Sequence, residues 1–95
     1  VDVALMYSML AKGWGGSAVL NAKHAKVEQR DYSNTGAAKF MVKDLKIALG
    51  EAAASSRTLP ISSKALQIYQ GLTEAGLGDD DLAVVHKYLE QITAE

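Results

Sequence analysis

The sequence predicts an all-α fold, a single bundle-like domain of about five helices. Apolar residues recur three or four positions apart in every segment, and no segment alternates as a strand would. Glycine clusters and the single proline divide the chain into pieces of helix length. With 95 residues, 48% of them hydrophobic, the chain can form one small core and is not typical of a disordered protein.

The first helix is expected over about residues 2–12 and is apolar on nearly all sides, which is typical of a helix buried all round. Gly13-Trp14-Gly15-Gly16 then interrupts the pattern, because glycine weakens a helix. Ser17 can N-cap a second helix through its side-chain oxygen. We expect that helix to end at about Gln29 and to be followed by a loop over residues 30–36.

The third helix is predicted over about residues 37–55. Its apolar positions lie on one stripe: Met41, Leu45, Ala48, Leu49 and Ala52. Pro60 suits the first turn of a fourth helix, where no N–H is needed. The predicted apolar face of that helix consists of Ile61, Ala65, Ile68, Tyr69 and Leu72.

Gly76 or Gly78 is predicted to end the fourth helix as a C-cap. A fifth helix follows, and one of the aspartates Asp79, Asp80 and Asp81 is expected to cap it, favoured by the positive helix N-terminus. The residues of this helix predicted to face inward are Leu82, Val85, Leu89 and Ile92.

Charge and composition exclude several classes of function. Ten basic and eleven acidic residues are interspersed, whereas a dedicated nucleic-acid binder, such as a helix-turn-helix protein, usually has a basic excess. The absence of cysteine excludes disulfides, thiolate metal sites and a cysteine nucleophile. The apolar opening has neither the basic start of a secretory signal nor the length of a membrane span. We therefore expect no nucleic-acid or membrane partner, and a cytoplasmic location.

Each candidate motif for catalysis or metal binding lacks at least one residue that the motif requires. A dinucleotide-binding motif has glycines in the pattern G-x-G-x-x-G after a strand. The segment Gly13-Trp14-Gly15-Gly16 follows a helical segment and has its third glycine at the wrong position, so we interpret it as a turn between helices. A calcium loop starting at Asp79 fails because Ala83 and Val84 stand where an oxygen ligand and a glycine are required. His24 and His86 have no metal-ligand spacing and are expected to be structural. No metal site and no catalytic residue is predicted.

Lys39, Lys43 and Lys46 share one face of the third helix, opposite its apolar stripe. The simplest interpretation is a solvated face. The alternative is a cationic edge for an anionic ligand or cofactor, a role that suits lysine as a point charge on a flexible stem. Asp44 points about 100° away from Lys43 around the helix, so the two are not expected to pair as residues four apart do.

A longer, ordered set of residues resembles the 3-hydroxyisobutyrate dehydrogenase family of β-hydroxyacid dehydrogenases. The set covers most of the chain and comprises Gly16-Ser17, Tyr32, Val42-Lys43-Asp44-Leu45, Leu59-Pro60, Ala75-Gly76-Leu77-Gly78 and Asp81-Leu82. The resemblance implies an all-α C-terminal domain like that of 6-phosphogluconate dehydrogenase-like enzymes, spanning residues 1–95. In such enzymes this all-α domain follows an N-terminal Rossmann domain, which we expect to lie outside these 95 residues. The all-α domain closes the active site and forms the interface of a homo-oligomer.

The resemblance also implies a function. The parent enzyme would transfer hydride between NAD or NADP and a short hydroxy acid or semialdehyde. Lys43 would bind the cofactor near its nicotinamide end, and Asp44 would help to fix the helix that carries it. The family's catalytic lysine lies in a G-x-x-x-K-x-x-N motif that this chain does not contain, so the 95 residues alone are expected to be inactive.

Two departures from the family pattern leave the substrate open. An aromatic residue that precedes the lysine in the family is replaced here by Gly36 or displaced to Phe40, and a serine near the last helix is Ala83. The alternative to the enzyme hypothesis is a free-standing α-helical interaction module. Its partner-binding face would be the apolar first helix together with Trp14, because exposed apolar patches commonly mark interfaces.

Overall fold

In the computed structural model, which describes residues 1–94, the chain is built from five α-helices. Their bounds are α1 Val3–Ala11, α2 Ala18–Gln29, α3 Phe40–Ala54, α4 Pro60–Glu74 and α5 Val85–Thr93, and a single 3₁₀ turn, Leu82–Val84, leads directly into α5. Within these described residues the only β-type pairing is an isolated antiparallel bridge between Ala37 and Asp81. The predicted all-α fold with five helices is confirmed.

The helices fall into two compact units, Val1–Tyr32 and Ser33–Glu95. In the first unit, α1 packs against α2. The Asp2 side chain caps α1 by accepting from the Leu5 N–H at 3.0 Å, and Ser17 caps α2 by accepting from the Leu20 N–H at 3.0 Å. The predicted role of Ser17 is therefore confirmed. Gly16 makes a close approach to the preceding helix, because a side chain there would overlap the Ala11 carbonyl oxygen.

The apolar surface of α1 is exposed, contrary to the expectation that this helix is buried all round. The large side chains that remain accessible are Val3, Leu5, Met6, Met9 and Leu10. Tyr7 and Ala11 are the half-buried positions of α1, and Tyr7 lies beside His24 of α2, with ring centroids 6.4 Å apart. A helix that is buried all round needs packing partners on every side. Within the unit Val1–Tyr32, α2 is the helix that packs against α1, so the other sides of α1 stay exposed.

The core of the second unit lies where α4 meets α3 and α5. Its largest fully buried side chains are Leu72, Val84 and Asp81. The predicted stripe of α3 is half-buried except for Ala48, which is exposed. On α4 the predicted face is buried or half-buried except for Ile61, which is 88% exposed at the first turn.

The ends of α4 agree with the sequence. Pro60 occupies the first turn of the helix. At the other end Gly76 has φ +86°, and two backbone bonds close the terminus, from the Gly76 N–H to Thr73 O at 3.1 Å and from the Leu77 N–H to Leu72 O at 2.9 Å. This pair of bonds is the Schellman motif, which places a left-handed residue just after the helix. Gly76, rather than Gly78, is thus the terminating glycine.

The inward face predicted for the fifth helix is partly wrong. Leu89 and Ile92 are 37% and 53% exposed, whereas Ala83 and Val84 are buried. The reason is the 3₁₀ turn over Leu82–Val84, which has three residues per turn instead of 3.6 and so rotates the following positions away from the predicted stripe. Within residues 1–94, no helix combines the length and the apolar character that a membrane crossing requires.

Helix α4 carries a glycine against which the ring of Tyr88 from α5 packs. A Cβ atom at Gly71 would overlap the Tyr88 hydroxyl oxygen and lie 3.0 Å from Cζ. Gly71→Ala gains about 1 kcal/mol of helix propensity but must displace a packed ring, at a cost of about 1–3 kcal/mol. We expect a net loss of about 1 kcal/mol in the free energy of unfolding, measured by urea denaturation.

A second glycine provides the matched control for this substitution. Gly50 lies in the middle of α3, and a Cβ atom there would meet nothing within 4 Å. Gly50→Ala should therefore raise the free energy of unfolding by about 0.5–1 kcal/mol. Adding Tyr88→Phe to Gly71→Ala should recover part of the lost stability, because it removes the oxygen that the new methyl group overlaps. A Gly71→Ala protein as stable as Gly50→Ala would contradict the packing argument.

Candidate functional site

Lys43 and Asp44 lie in the first turns of α3, on its exposed surface. The Lys43 side chain is 68% exposed, and its Nζ atom is 3.6 Å from Asp44 Oδ1. Neighbouring residues on a helix point in different directions, so we did not expect this pair to meet. The long lysine stem bends back far enough for a loose ionic contact, which at this exposure stabilises the fold by little. The ammonium group stays accessible to a ligand.

Phe40 lies between two of the predicted lysines. The Nζ atoms of Lys39 and Lys43 are each 5.8 Å from the centroid of the Phe40 ring, which is itself 55% exposed. Both distances are within the range of cation–π attraction. The structure therefore places the displaced aromatic residue of the sequence analysis directly beside Lys43. An accessible ring with a cation on either side is suited to a ligand that has both a flat ring and anionic groups.

The three lysines of the predicted face are not equivalent. Lys39 precedes the first residue of α3, and its Nζ atom forms an ion pair with Asp79 Oδ1 at 2.7 Å. Lys43 follows one turn later, and Lys46 is exposed on the turn beyond. Lys39 and Lys43 are brought together at the Phe40 ring, whereas Lys46 is not part of that contact. The first half of the face is thus the part that combines ammonium groups with an aromatic ring.

The segment before α3 is held by a buried aspartate that is distant from it in the sequence. Asp81 is fully buried, and its Oδ1 atom accepts from the Thr35 N–H at 3.0 Å and from the Thr35 hydroxyl at 2.6 Å. Its Oδ2 atom accepts from the Ala83 N–H at 2.9 Å. The prediction that one aspartate of the triplet caps the fifth helix is wrong, because no side chain caps α5; Asp81 instead caps the 3₁₀ turn that leads into it.

Three backbone bonds run beside this carboxylate. The Ala38 N–H donates to Asp80 O, the Lys39 N–H to Gly78 O, and the Leu82 N–H to Gly36 O, each at 2.9 Å. We call the joined segments Thr35–Lys39 and Gly78–Ala83 the clasp. Because Ala37 and Ala38 are engaged in the clasp, α3 begins at Phe40 and not at Ala37 as predicted. Sequence reasoning missed the clasp, although the aspartate triplet was a signal for it.

The other candidate residues have contacts of their own. Gly36 contributes its carbonyl to the clasp, and Ala83 is buried in the 3₁₀ turn. His24 and His86 lie beside Glu28 and Glu90 at 3.1 and 3.8 Å, four residues along their own helices.

Across residues 1–94, no three His, Cys, Asp or Glu residues are grouped as metal ligands would be. On α4, burial raises the pKa of Tyr69 above its usual 10.0, so its phenol stays protonated at neutral pH.

The chain matches a protein-family model over residues 1–89. That family is described as NAD-binding of NADP-dependent 3-hydroxyisobutyrate dehydrogenase. A mitochondrial 3-hydroxyisobutyrate dehydrogenase of Drosophila melanogaster is 37% identical over 62 residues, which are 65% of this chain and 19% of that protein. A 2-(hydroxymethyl)glutarate dehydrogenase of Eubacterium barkeri is 33% identical over 89 residues, or 93% of this chain and 30% of that protein.

A solved structure shows the same fold. The crystal structure of a 3-hydroxyisobutyrate dehydrogenase from Salmonella typhimurium superposes with a TM-score of 0.85 at 29% identity. The match covers 92% of this chain and 30% of that one. The chain therefore spans between a fifth and a third of the length of the proteins that it matches.

Proposed function

Because this chain belongs to the family of the NAD-binding domain of NADP-dependent 3-hydroxyisobutyrate dehydrogenase, we propose that it is the C-terminal, substrate-side domain of a nicotinamide-dependent hydroxyacid dehydrogenase. The enzyme transfers hydride between the cofactor and a short hydroxy acid or semialdehyde. A Rossmann domain outside these 95 residues supplies most of the cofactor site, and this chain completes it. The cofactor, NAD or NADP, supplies the hydride chemistry.

The observation that carries the proposal is the exposed ammonium group of Lys43 beside the Phe40 ring. Such a group can donate charge-assisted hydrogen bonds to ribose or phosphate oxygens, which are stronger than neutral ones. Phe40 offers a flat apolar surface at the same place, and Lys39 adds a second positive charge. The residues present thus fit the edge of a dinucleotide. They do not form the strand, glycine turn and helix that would hold its pyrophosphate.

Asp44 has an orienting role in this proposal. Its carboxylate lies 3.6 Å from the Lys43 ammonium, which limits the directions in which the flexible lysine stem points. The chain supplies no proton-transfer residue of its own, so the 95 residues alone are inactive. The substrate stays open, because Gly36 carries no side chain and Ala83 is buried.

The proposal extends to assembly. The exposed apolar side chains of α1, described above, supply the kind of surface that subunit interfaces bury, which supports a homo-oligomer. A cytoplasmic location, and the lack of nucleic-acid and membrane partners, remain predictions from the sequence.

The direct test is cofactor binding by the full-length polypeptide that carries this chain. We expect Lys43→Ala to raise the Kd for NADH or NADPH at least tenfold, because a hydrogen bond to a charged group contributes about 1.5–3 kcal/mol. The enhancement of nicotinamide fluorescence on binding measures both constants without knowledge of the substrate.

Lys46→Ala is the matched control for that test. It removes the same charge from the same helix three residues later, so a general electrostatic effect would appear in both variants. We expect its Kd to stay within about twofold of the unmodified protein, since exposed charges interact weakly in salt. Equal constants for Lys43→Ala and the unmodified protein would remove Lys43 from the site.

A second candidate function is favoured by one observation, the exposed apolar side chains of α1 and the fully exposed Trp14. A helical interaction module would use that surface for a protein partner. Failure of the full-length polypeptide to bind either nicotinamide, together with a stable complex through α1, would favour this candidate over the dehydrogenase.

A further inference from the structure

Asp81 has no access to solvent, and so it cannot touch a cofactor or a substrate. Its two oxygens nevertheless accept three hydrogen bonds, two from Thr35 and one from Ala83. Thr35 and Asp81 are 46 residues apart in the chain. A buried carboxylate bonded to both segments fixes them relative to each other, because separating the segments would leave buried carboxylate oxygens without these donors. Asp81 is therefore the central residue of the clasp.

The clasp holds the residues that lead into α3. No side chain caps α3, and the residue at its N-cap position is Lys39. The backbone N–H groups of Ala38 and Lys39 find their acceptors in the loop, at Asp80 O and Gly78 O. The first amides of α3, those of Phe40, Met41 and Val42, donate to the carbonyls of Ala37, Ala38 and Lys39. The clasp therefore holds the three residues on which the first turn of the helix is built. The position of the first turn therefore depends on the loop.

Gly78 and Asp79 tighten the same connection. A Cβ atom at Gly78 would lie 3.1 Å from Lys39 Cβ and 3.1 Å from Thr73 Cγ2, so the loop approaches α3 as closely as glycine permits. Asp79 holds the Lys39 ammonium at 2.7 Å. From Lys39 the helix continues for one turn to Lys43, and a regular turn is a rigid spacer of about 6 Å over four residues. A shift of the loop therefore moves the Lys43 backbone with it.

We infer that Asp81 is a positioning residue for the cofactor site, acting through the clasp and the first turn of α3 on Lys43. This inference rests on the proposed role of Lys43. It adds that the affinity for the nicotinamide cofactor depends on a buried carboxylate that the cofactor never contacts. Groups that orient a binding side chain commonly matter almost as much as the side chain itself.

Asp81→Asn keeps the size of the side chain but turns one oxygen into a donor, which then faces either Thr35 or the Ala83 N–H. We expect the Kd for NADH or NADPH to rise about threefold or more, since small displacements of a binding group are costly. Thr35→Val removes the hydroxyl donor with milder disruption and should act in the same direction. Thr35→Ser restores that donor and should return the Kd to the unmodified value.

A double-mutant cycle with Lys43→Ala separates positioning from general damage. If Asp81 acts through Lys43, Asp81→Asn raises the Kd in the unmodified protein and adds nothing in the Lys43→Ala protein. Gly71→Ala is the stability control. It should lower the melting temperature while leaving the Kd unchanged, because Gly71 packs on Tyr88 and not on the clasp.

The outcomes are distinguishable. An unchanged Kd in both Asp81→Asn and Thr35→Val overturns the inference, and so does an equal rise in the presence and absence of Lys43. A Kd that follows melting temperature across all variants, including Gly71→Ala, also overturns it. If Lys43→Ala itself has no effect, the proposed cofactor site fails first and the inference falls with it.

Discussion

Truncation of Leu72 to alanine is expected to lower the free energy of unfolding by about 3 kcal/mol, within the range observed for buried leucines. Leu72 has no solvent access and is the largest of the fully buried side chains. The core around it is small, because Val84 and Asp81 are the other large side chains buried to the same degree. Little can relax to fill the cavity, and about 3 kcal/mol is a large share of a small domain's stability.

Ile61→Ala provides the comparison within the same helix. Ile61 is 88% exposed at the first turn of α4, so its truncation should change the free energy of unfolding by no more than about 0.5 kcal/mol. Urea denaturation of the purified polypeptide, followed by circular dichroism, measures both variants. Similar midpoints for Leu72→Ala and Ile61→Ala would mean that the core does not lie around Leu72.

Removal of the Asp81 carboxylate should be comparably damaging. Asp81→Ala leaves the Thr35 N–H, the Thr35 hydroxyl and the Ala83 N–H without their acceptor. The Ala83 N–H is buried, and leaving it unpaired costs about 1–3 kcal/mol; the Thr35 groups are only part-buried, and water recovers part of their loss. We expect a net loss of about 3 kcal/mol in the free energy of unfolding. The same denaturation experiment measures it.

Asp79→Ala is the matched control, two residues away in the same loop. Its carboxylate pairs with Lys39 at 2.7 Å, closer than many salt bridges, but the Asp79 side chain is 87% exposed. Exposed pairs contribute about 0–1 kcal/mol, so we expect a small change. If the two alanine variants were equally stable, the buried hydrogen bonds of the clasp would have no special role in holding the fold.

Local signals in the sequence predicted the fold well. Ser17 and Pro60 were placed correctly because a cap and a helix-starting proline act on backbone groups within three or four residues. Gly76 was one of the two glycines predicted to end α4, since a left-handed residue after a helix is a local requirement. The resemblance to the 3-hydroxyisobutyrate dehydrogenase family predicted which family the chain belongs to, and the family match over residues 1–89 confirms that prediction.

The predictions were wrong or incomplete where burial or a hydrogen bond depends on residues that are distant in the sequence. The exposure of Leu89 and Ile92 follows from a 3₁₀ turn that no periodicity count anticipates. Nor could the sequence single out Asp81 among three adjacent aspartates, because its partner Thr35 is 46 residues away. The candidate site was predicted in part. Lys43 was chosen by resemblance, whereas the proximity of Phe40 to both ammonium groups required three-dimensional structure.

The long separation between Thr35 and Asp81 also has a consequence for the order of folding. Helices α3 and α4 are neighbours in the chain and pack on each other, so their contacts close only a short loop. The hydrogen bonds between Thr35 and Asp81 must close a loop of 46 residues, and such non-local contacts slow folding. We therefore expect the pair of helices to assemble early and the clasp late. The start of α3, including Lys43, is then among the last parts of this unit to reach its final position.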